Sequence, residues 1–204
     1  MRENLHGIVK LIFQPAEEDA QSGGGAQYMI RDGVLKDPDV DMMLGMHLWP
    51  DLDLGTVGTK PGALMAGSDP FIITVQGKGG HASMPHTAVD PVLAGSHIVT
   101  ALQSVVSRNI DPFAQAVVTV GVFRGGTRYN VIPETATLEG TVRTFDETVR
   151  LQVRDRVIAI AENTAEAFGA KAEVDYRLTY PPLMNDAGVY ERVKACIKDI
   201  LGPE

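Results

Sequence analysis

The chain has a single cysteine, Cys196, among its 204 residues. One thiol excludes an internal disulfide and fits a reducing compartment, so a cytoplasmic location is expected. Positive charge is also scarce: 18 Lys and Arg stand against 26 Asp and Glu, a formal net charge of −8. The acidic residues are scattered, which leaves no basic face for a nucleic acid to lie on. Long apolar runs are missing, and none approaches the ~20 residues that cross a bilayer. Met1 to His6 lack the apolar core of a secretory signal. There is no low-complexity tract. What remains is ordinary globular composition, with 44% hydrophobic and 22% charged residues. The length suits one large domain or two small ones.

The stretch Gln14-Pro15-Ala16-Glu17-Glu18 organises the reading. The apolar run Ile8 to Phe13 before it predicts a buried strand. Adjacent residues leave a strand end in different directions. One carboxylate can therefore hold a metal while its neighbour takes a proton from the metal's water, the division of labour of a metallohydrolase. Surface charge alone would also explain such a pair. Ser22 to Gly25 then reads as a flexible loop, followed by a helix from Ala26 to about Arg31 with Gly33 near its end. Val40 to His47 predicts a second strand. The first 50 residues are thus expected to be β-α-β with parallel strands, and sites gather at the carboxyl ends of such strands. Glu17, Glu18 and His47 would all lie there.

Gly55, Gly58, Pro61, Gly62 and Gly67 mark a linker-like segment. Phe71 to Gln76 then predicts a strand, and Gly77 to Ser83 a loop. Asp90 is a good N-cap with Pro91 at the first helical position, opening a helix whose apolar face includes Ile98, Leu102 and Val105. Ala116 to Phe123 is a strand. Thr135 to Phe145 alternates, with Ala136, Leu138, Gly140, Val142 and Thr144 on the less polar face. Thr144 to Glu147 reads as a capping box for a helix carrying Val149, Val153, Val157 and Ile160, stopped at Gly169. Ala172 to Leu178 is a final strand. The order β-α-β-β-α-β is the split ferredoxin-like arrangement, over about residues 68–179. A last helix runs from about Gly188 to Leu201. The smaller domain is therefore expected to be inserted in a larger α/β one, represented by residues 1–67 and 180–204. Two strands bury too little to be stable alone, so the larger domain reads as partial.

The motifs now stand in order: Gln-Pro-Ala-Glu-Glu at 14–18, Gly-Met-His-Leu at 45–48, Gly-Lys-Gly-Gly-His-Ala-Ser-Met-Pro at 77–85, Asn-Val-Ile-Pro at 130–133 and Gly-Thr-Val-Arg-Thr-Phe at 140–145. Together they resemble the M20 metallopeptidases, and within these the branch of aminoacylases, hippurate hydrolases and indole-acetyl-amino-acid hydrolases. The resemblance covers nearly the whole chain. It implies a zinc-peptidase-like α/β domain with an inserted ferredoxin-like lid that also serves dimerisation. It implies hydrolysis of the amide of N-acyl amino acids or similar small amides.

Carried over by position, the resemblance makes Glu17 the general base and acid, and Glu18 and His47 metal ligands. His81 would reach from the lid to stabilise the oxyanion, and Asn130 would assist or bind substrate. Arg143 would touch a substrate carboxylate, or form only a surface ion pair. Two divalent ions are implied for the complete protein. Carboxylate and imidazole suit Zn²⁺, Mn²⁺, Co²⁺ or Ni²⁺ without choosing among them. A homodimer through the lid is implied, with lid residues serving the partner's site. The family also draws ligands from a Cys-Gly-His segment upstream and a His far downstream, which this sequence lacks. The chain is thus expected to be a fragment without full activity. The alternative is a dimerisation or ligand-binding module with no chemistry of its own.

Bland readings attach to the other residues. His6, His86 and His97 are expected to be structural or exposed, Asp41 solvated, and Cys196 a small buried residue on the last helix. Gly-Lys-Gly-Gly lacks the spacing of a phosphate-binding loop.

Overall fold

The computed structural model describes residues 6–18 and 24–202. The chain divides into two compact units, Met1–Asp51 and Leu52–Glu204.

The first unit has one regular element among the described residues, helix α1 (Gly24–Arg31). The expected helix is there, two residues longer at its start, whereas Ser22 and Gly23 of the expected loop lie outside the described residues. At its end the Gly33 amide bonds the Ile30 carbonyl at 3.0 Å and the Val34 amide bonds Met29 at 2.9 Å. This pair of bonds satisfies carbonyls the helix leaves open.

Neither expected strand of this unit forms. Residues 8–13 and 40–47 take no strand conformation. Ile8 is 76% and Phe13 82% exposed. The parallel β-α-β pair is therefore corrected: among the described residues no ladder joins the two runs. The physical reason is that apolarity alone does not make a strand. Its amides and carbonyls need a neighbouring strand, and its side chains need a covering layer.

The second unit is built more regularly. The linker-like segment contains a strand, β1 (Gly62–Met65), antiparallel to β8 (Leu183–Asn185). Between them run β2 (Gly67–Gln76), β3 (Gly80–His81), α2 (Pro91–Asn109), β4 (Ala116–Gly125), β5 (Val131–Ile132), β6 (Thr135–Thr144), α3 (Glu147–Ala167) and β7 (Lys171–Tyr176); α4 (Ala187–Leu201) follows β8. Four strands form one antiparallel sheet in the order β4-β6-β2-β7. With α2 and α3, this is the β-α-β-β-α-β succession the sequence predicts. Among the described residues the short strands β3 and β5 pair only with each other.

Local chemistry explains the element ends. Asp90 caps α2, accepting from the Val92 amide at 2.8 Å and from Leu93 at 3.3 Å. For α3 the expected capping box is corrected. Asp146 is the N-cap and accepts from the Val149 amide at 2.9 Å. Thr144 is the last residue of β6, and its buried hydroxyl has no hydrogen-bond partner among the described residues. Strand pairing with Gly67 holds Thr144 extended, so the cap falls to the next competent side chain. Gly169, at φ +72°, lets the chain turn back after α3.

The core lies between the sheet and the two helices. Phe71, Ile73, Leu138, Ile98, Leu102 and Val157 are fully buried in it, each worth about 1.5–3 kcal/mol. On β6 the predicted face holds, with Ala136, Leu138, Val142 and Thr144 buried. On α3 the most buried stripe is Arg150, Val153, Val157, Ala161 and Ala165, and the expected Val149 and Ile160 flank it, partly buried against the same core. Arg150 sits in that stripe because Asp69 meets it there, through two hydrogen bonds of 2.7 Å. The bond to Asp69 holds the guanidinium above its ordinary range, against burial, which pulls it down.

Candidate active site

In the second unit the structure brings two expected site residues together. His81 ends β3 and pairs with Val131, the neighbour of Asn130. The Ala82 amide donates to the Asn130 carbonyl at 3.1 Å. The loop is tied at its base, where Lys78 and Val89 exchange amide–carbonyl bonds of 2.8 and 2.9 Å. Gly77 permits that closeness, since a Cβ there would lie 2.2 Å from the Val89 carbonyl oxygen. The sequence signal, glycines before His81, thus has a geometric cause.

The ring of His81 is exposed and oriented by its own loop. The Ser83 amide donates to His81 Nδ1 at 3.1 Å. An accepting Nδ1 carries no proton in the neutral ring, so the proton is on Nε2. His81 therefore presents an N–H donor outward. A groove of about 500 Å³ runs beside this turn, lined by Ala82, Arg128, Tyr129 and Pro133 among others. A second of about 460 Å³ is lined by Gly79, His81, Val131 and Glu134. Arg143 stands on β6, where its guanidinium donates to Thr141 Oγ1 and, at 3.1 Å, to the Val142 carbonyl.

In the first unit Glu17 and Glu18 form an exposed turn after Pro15. His47 is exposed too, edge-on to Trp49 with ring centroids 5.9 Å apart. Its Nδ1 lies 2.5 Å from the Leu48 carbonyl oxygen. A carbonyl can only accept, so Nδ1 carries the proton and Nε2 is left with a lone pair. That is the form in which an imidazole binds a metal, its other nitrogen fixed by a carbonyl. The donors Glu18 and His47 thus fit a divalent ion chemically. Among the described residues, no three His, Cys, Asp or Glu side chains gather closely enough to hold one.

Other expectations sort simply. His86 is exposed in the short 3₁₀ turn Pro85–Thr87, and His97 stacks on Phe168 at 4.4 Å. Asp41 is exposed. Cys196 is corrected: it is exposed, because α4 buries none of its residues. Sequence reasoning missed Lys10, Asp69 and Arg150. The last of these had a signal, a charged residue in register with Val153, Val157 and Ala161.

The described residues form a mixed α/β chain. All of it, residues 1–204, matches the model of peptidase family M20/M25/M40, and the chain belongs to that family. It is 46% identical over 188 residues to an N-acetyl-L-cysteine deacetylase of Bacillus subtilis, covering 92% of this chain and 44% of that one. It is 39% identical over 206 residues to an IAA-amino acid hydrolase of Arabidopsis thaliana, covering 99% and 46%. A Bacillus subtilis protein solved as a dinuclear metal-binding peptidase of family M20 superimposes with a TM-score of 0.71 at 36% identity, covering 92% of this chain and 46% of that one. The chain spans about half the length of the curated relatives it matches.

Proposed function

We propose that this chain carries part of a metal-dependent amidohydrolase that cleaves the amide of N-acyl amino acids. The observation that carries the reading is a pair of ring contacts, which assign opposite tautomers to the two histidines. His47 offers a lone pair, as a ligand must, and His81 offers an N–H, as an oxyanion donor must.

Glu18 and His47 would hold the metal, one of Zn²⁺, Mn²⁺, Co²⁺ or Ni²⁺, with a second ion in the complete protein. When bound, such an ion polarises the scissile carbonyl and lowers the pKa of water toward 7. Glu17 takes a proton from the attacking water on its carboxylate. As the C–N bond breaks, Glu17 returns that proton to the leaving nitrogen, so amide and water become acid and amine. His81 Nε2–H donates to the oxygen on which charge develops, an interaction worth roughly 3 kcal/mol. Asn130, beside it, orients the substrate, and Arg143 faces its carboxylate. Residues 68–179 would act as a lid within the domain formed by 1–67 and 180–204, closing His81 onto the substrate. Strand β4 has β6 on one side and no other neighbour among the described residues, which supports a homodimer through the lid. A cytoplasmic setting suits the lone thiol.

The alternative, a dimerisation or binding module, draws support from the want of a third ligand among the described residues. One comparison separates the two. In the full-length protein, loaded with Zn²⁺ or Mn²⁺ and given N-acetyl amino acids, Glu17→Gln is expected to lower kcat at least about 100-fold with metal content unchanged. A variant as fast as the parent would leave the module reading standing.

A further inference from the structure

We propose that Lys10 is a positioning residue for the metal site, holding in register the two segments that carry Glu18 and His47. The inference rests on the metal-site reading above. Its basis is a cage of backbone oxygens. Lys10 Nζ donates to the carbonyls of Val34 at 3.0 Å, Lys36 at 2.6 Å and Pro38 at 3.2 Å. An ammonium has three N–H donors, and all three are used. The three oxygens come from alternate residues, and none of them accepts from a backbone amide of a described residue. The charge of Lys10 is therefore committed to the backbone and is not spare for a substrate.

The place of this cage gives it a function. Lys10 lies eight residues before Glu18, and Pro38 nine before His47. Neither segment has a strand ladder among the described residues to fix it against the other. Three charge-assisted bonds supply that fixed point. Without them the acidic turn and the imidazole could drift apart, and metal affinity depends on ligands being held in advance. Groups that hydrogen-bond a metal ligand without touching the metal typically change affinity 10–100-fold, and that range sets the scale for Lys10, which acts on the ligands through the backbone.

The test uses the full-length protein stripped of metal, with Zn²⁺ dissociation constants from chelator competition at a temperature where every variant is folded. Lys10→Met is expected to weaken binding by about 10–100-fold. Asp146→Ala, which removes a helix cap in the other unit and lowers Tm, is expected to leave affinity unchanged. Lys10→Arg, charged but planar, should recover part of the loss. Lys10→Met within threefold of the parent, while His47→Ala loses the metal, overturns the inference alone. His47→Ala and Lys10→Met both binding as the parent does overturns the site reading and this inference with it. If Lys10→Met fails to fold, Lys10→Gln is read the same way. If neither folds, Lys10 serves folding rather than the metal site, and the inference fails.

Discussion

Asp69 and Arg150, 81 residues apart in sequence, meet through paired hydrogen bonds of 2.7 Å in the interior of the second unit. Asp69 is 1% and Arg150 4% exposed. Asp69 also accepts from the Thr179 amide at 3.0 Å, and Arg150 reaches Glu147 at 3.1 Å. The carboxylate thus joins the start of β2, the first turns of α3 and the chain leaving β7.

Removing one partner leaves a buried charge unmatched. Asp69→Ala or Arg150→Met is expected to cost about 3–5 kcal/mol, and the double variant less than the sum. Urea unfolding of the four proteins measures this, and single variants with the parent's midpoint would disprove it.

Tyr176 predicts a pH dependence. Burial, and then the nearby Asp69 charge, push its phenol well above the usual range. No hydrogen bond of ordinary geometry joins its hydroxyl to any described residue. The folded state favours the protonated phenol, so this contribution to stability is intact below the unfolded pKa of about 10 and falls as pH rises above it. Tyr176→Phe should match or slightly exceed the parent's stability at pH 7 and lose part of the decline above pH 10. Thermal melts at pH 7 to 11 compare the two, and parallel declines would refute it.

His81 is exposed, and among the described residues its ring bonds only within its loop, so its removal should touch rate and not stability. In the full-length enzyme His81→Ala is expected to lower kcat about 10²–10³-fold and shift Tm by no more than ~1 °C. A large fall in Tm with an unchanged rate would make it a structural residue.

Strand β4 offers an open edge, with Val117 51% exposed. Such edges pair readily unless charged. Val117→Lys is expected to turn the proposed dimer into a monomer in light scattering behind size exclusion. A parent that is already monomeric, or a variant that stays dimeric, rules this edge out.

Much of the second unit was legible in the residues. The Asp90 cap, the Gly169 stop and the alternation from Ala136 to Thr144 are local codes, and each took the form expected. The capping box misled because Thr144 was already committed to a strand, a pairing 77 residues away in sequence with Gly67. The two apolar runs misled for a related reason: a strand is a property of two chains, and one sequence window shows only one of them.

By itself the sequence determined residue types, local periodicity and family motifs, and with them the helices, the β-α-β-β-α-β order and the candidate site residues. The proton positions on His47 and His81 follow from their own loops, through Leu48 and Ser83, whereas only the tertiary structure decided where the Lys10 ammonium goes and that Asp69 answers Arg150. Those outcomes depend on which carbonyl, amide or carboxylate lies within about 3 Å, and folding alone sets that distance between residues remote in the chain.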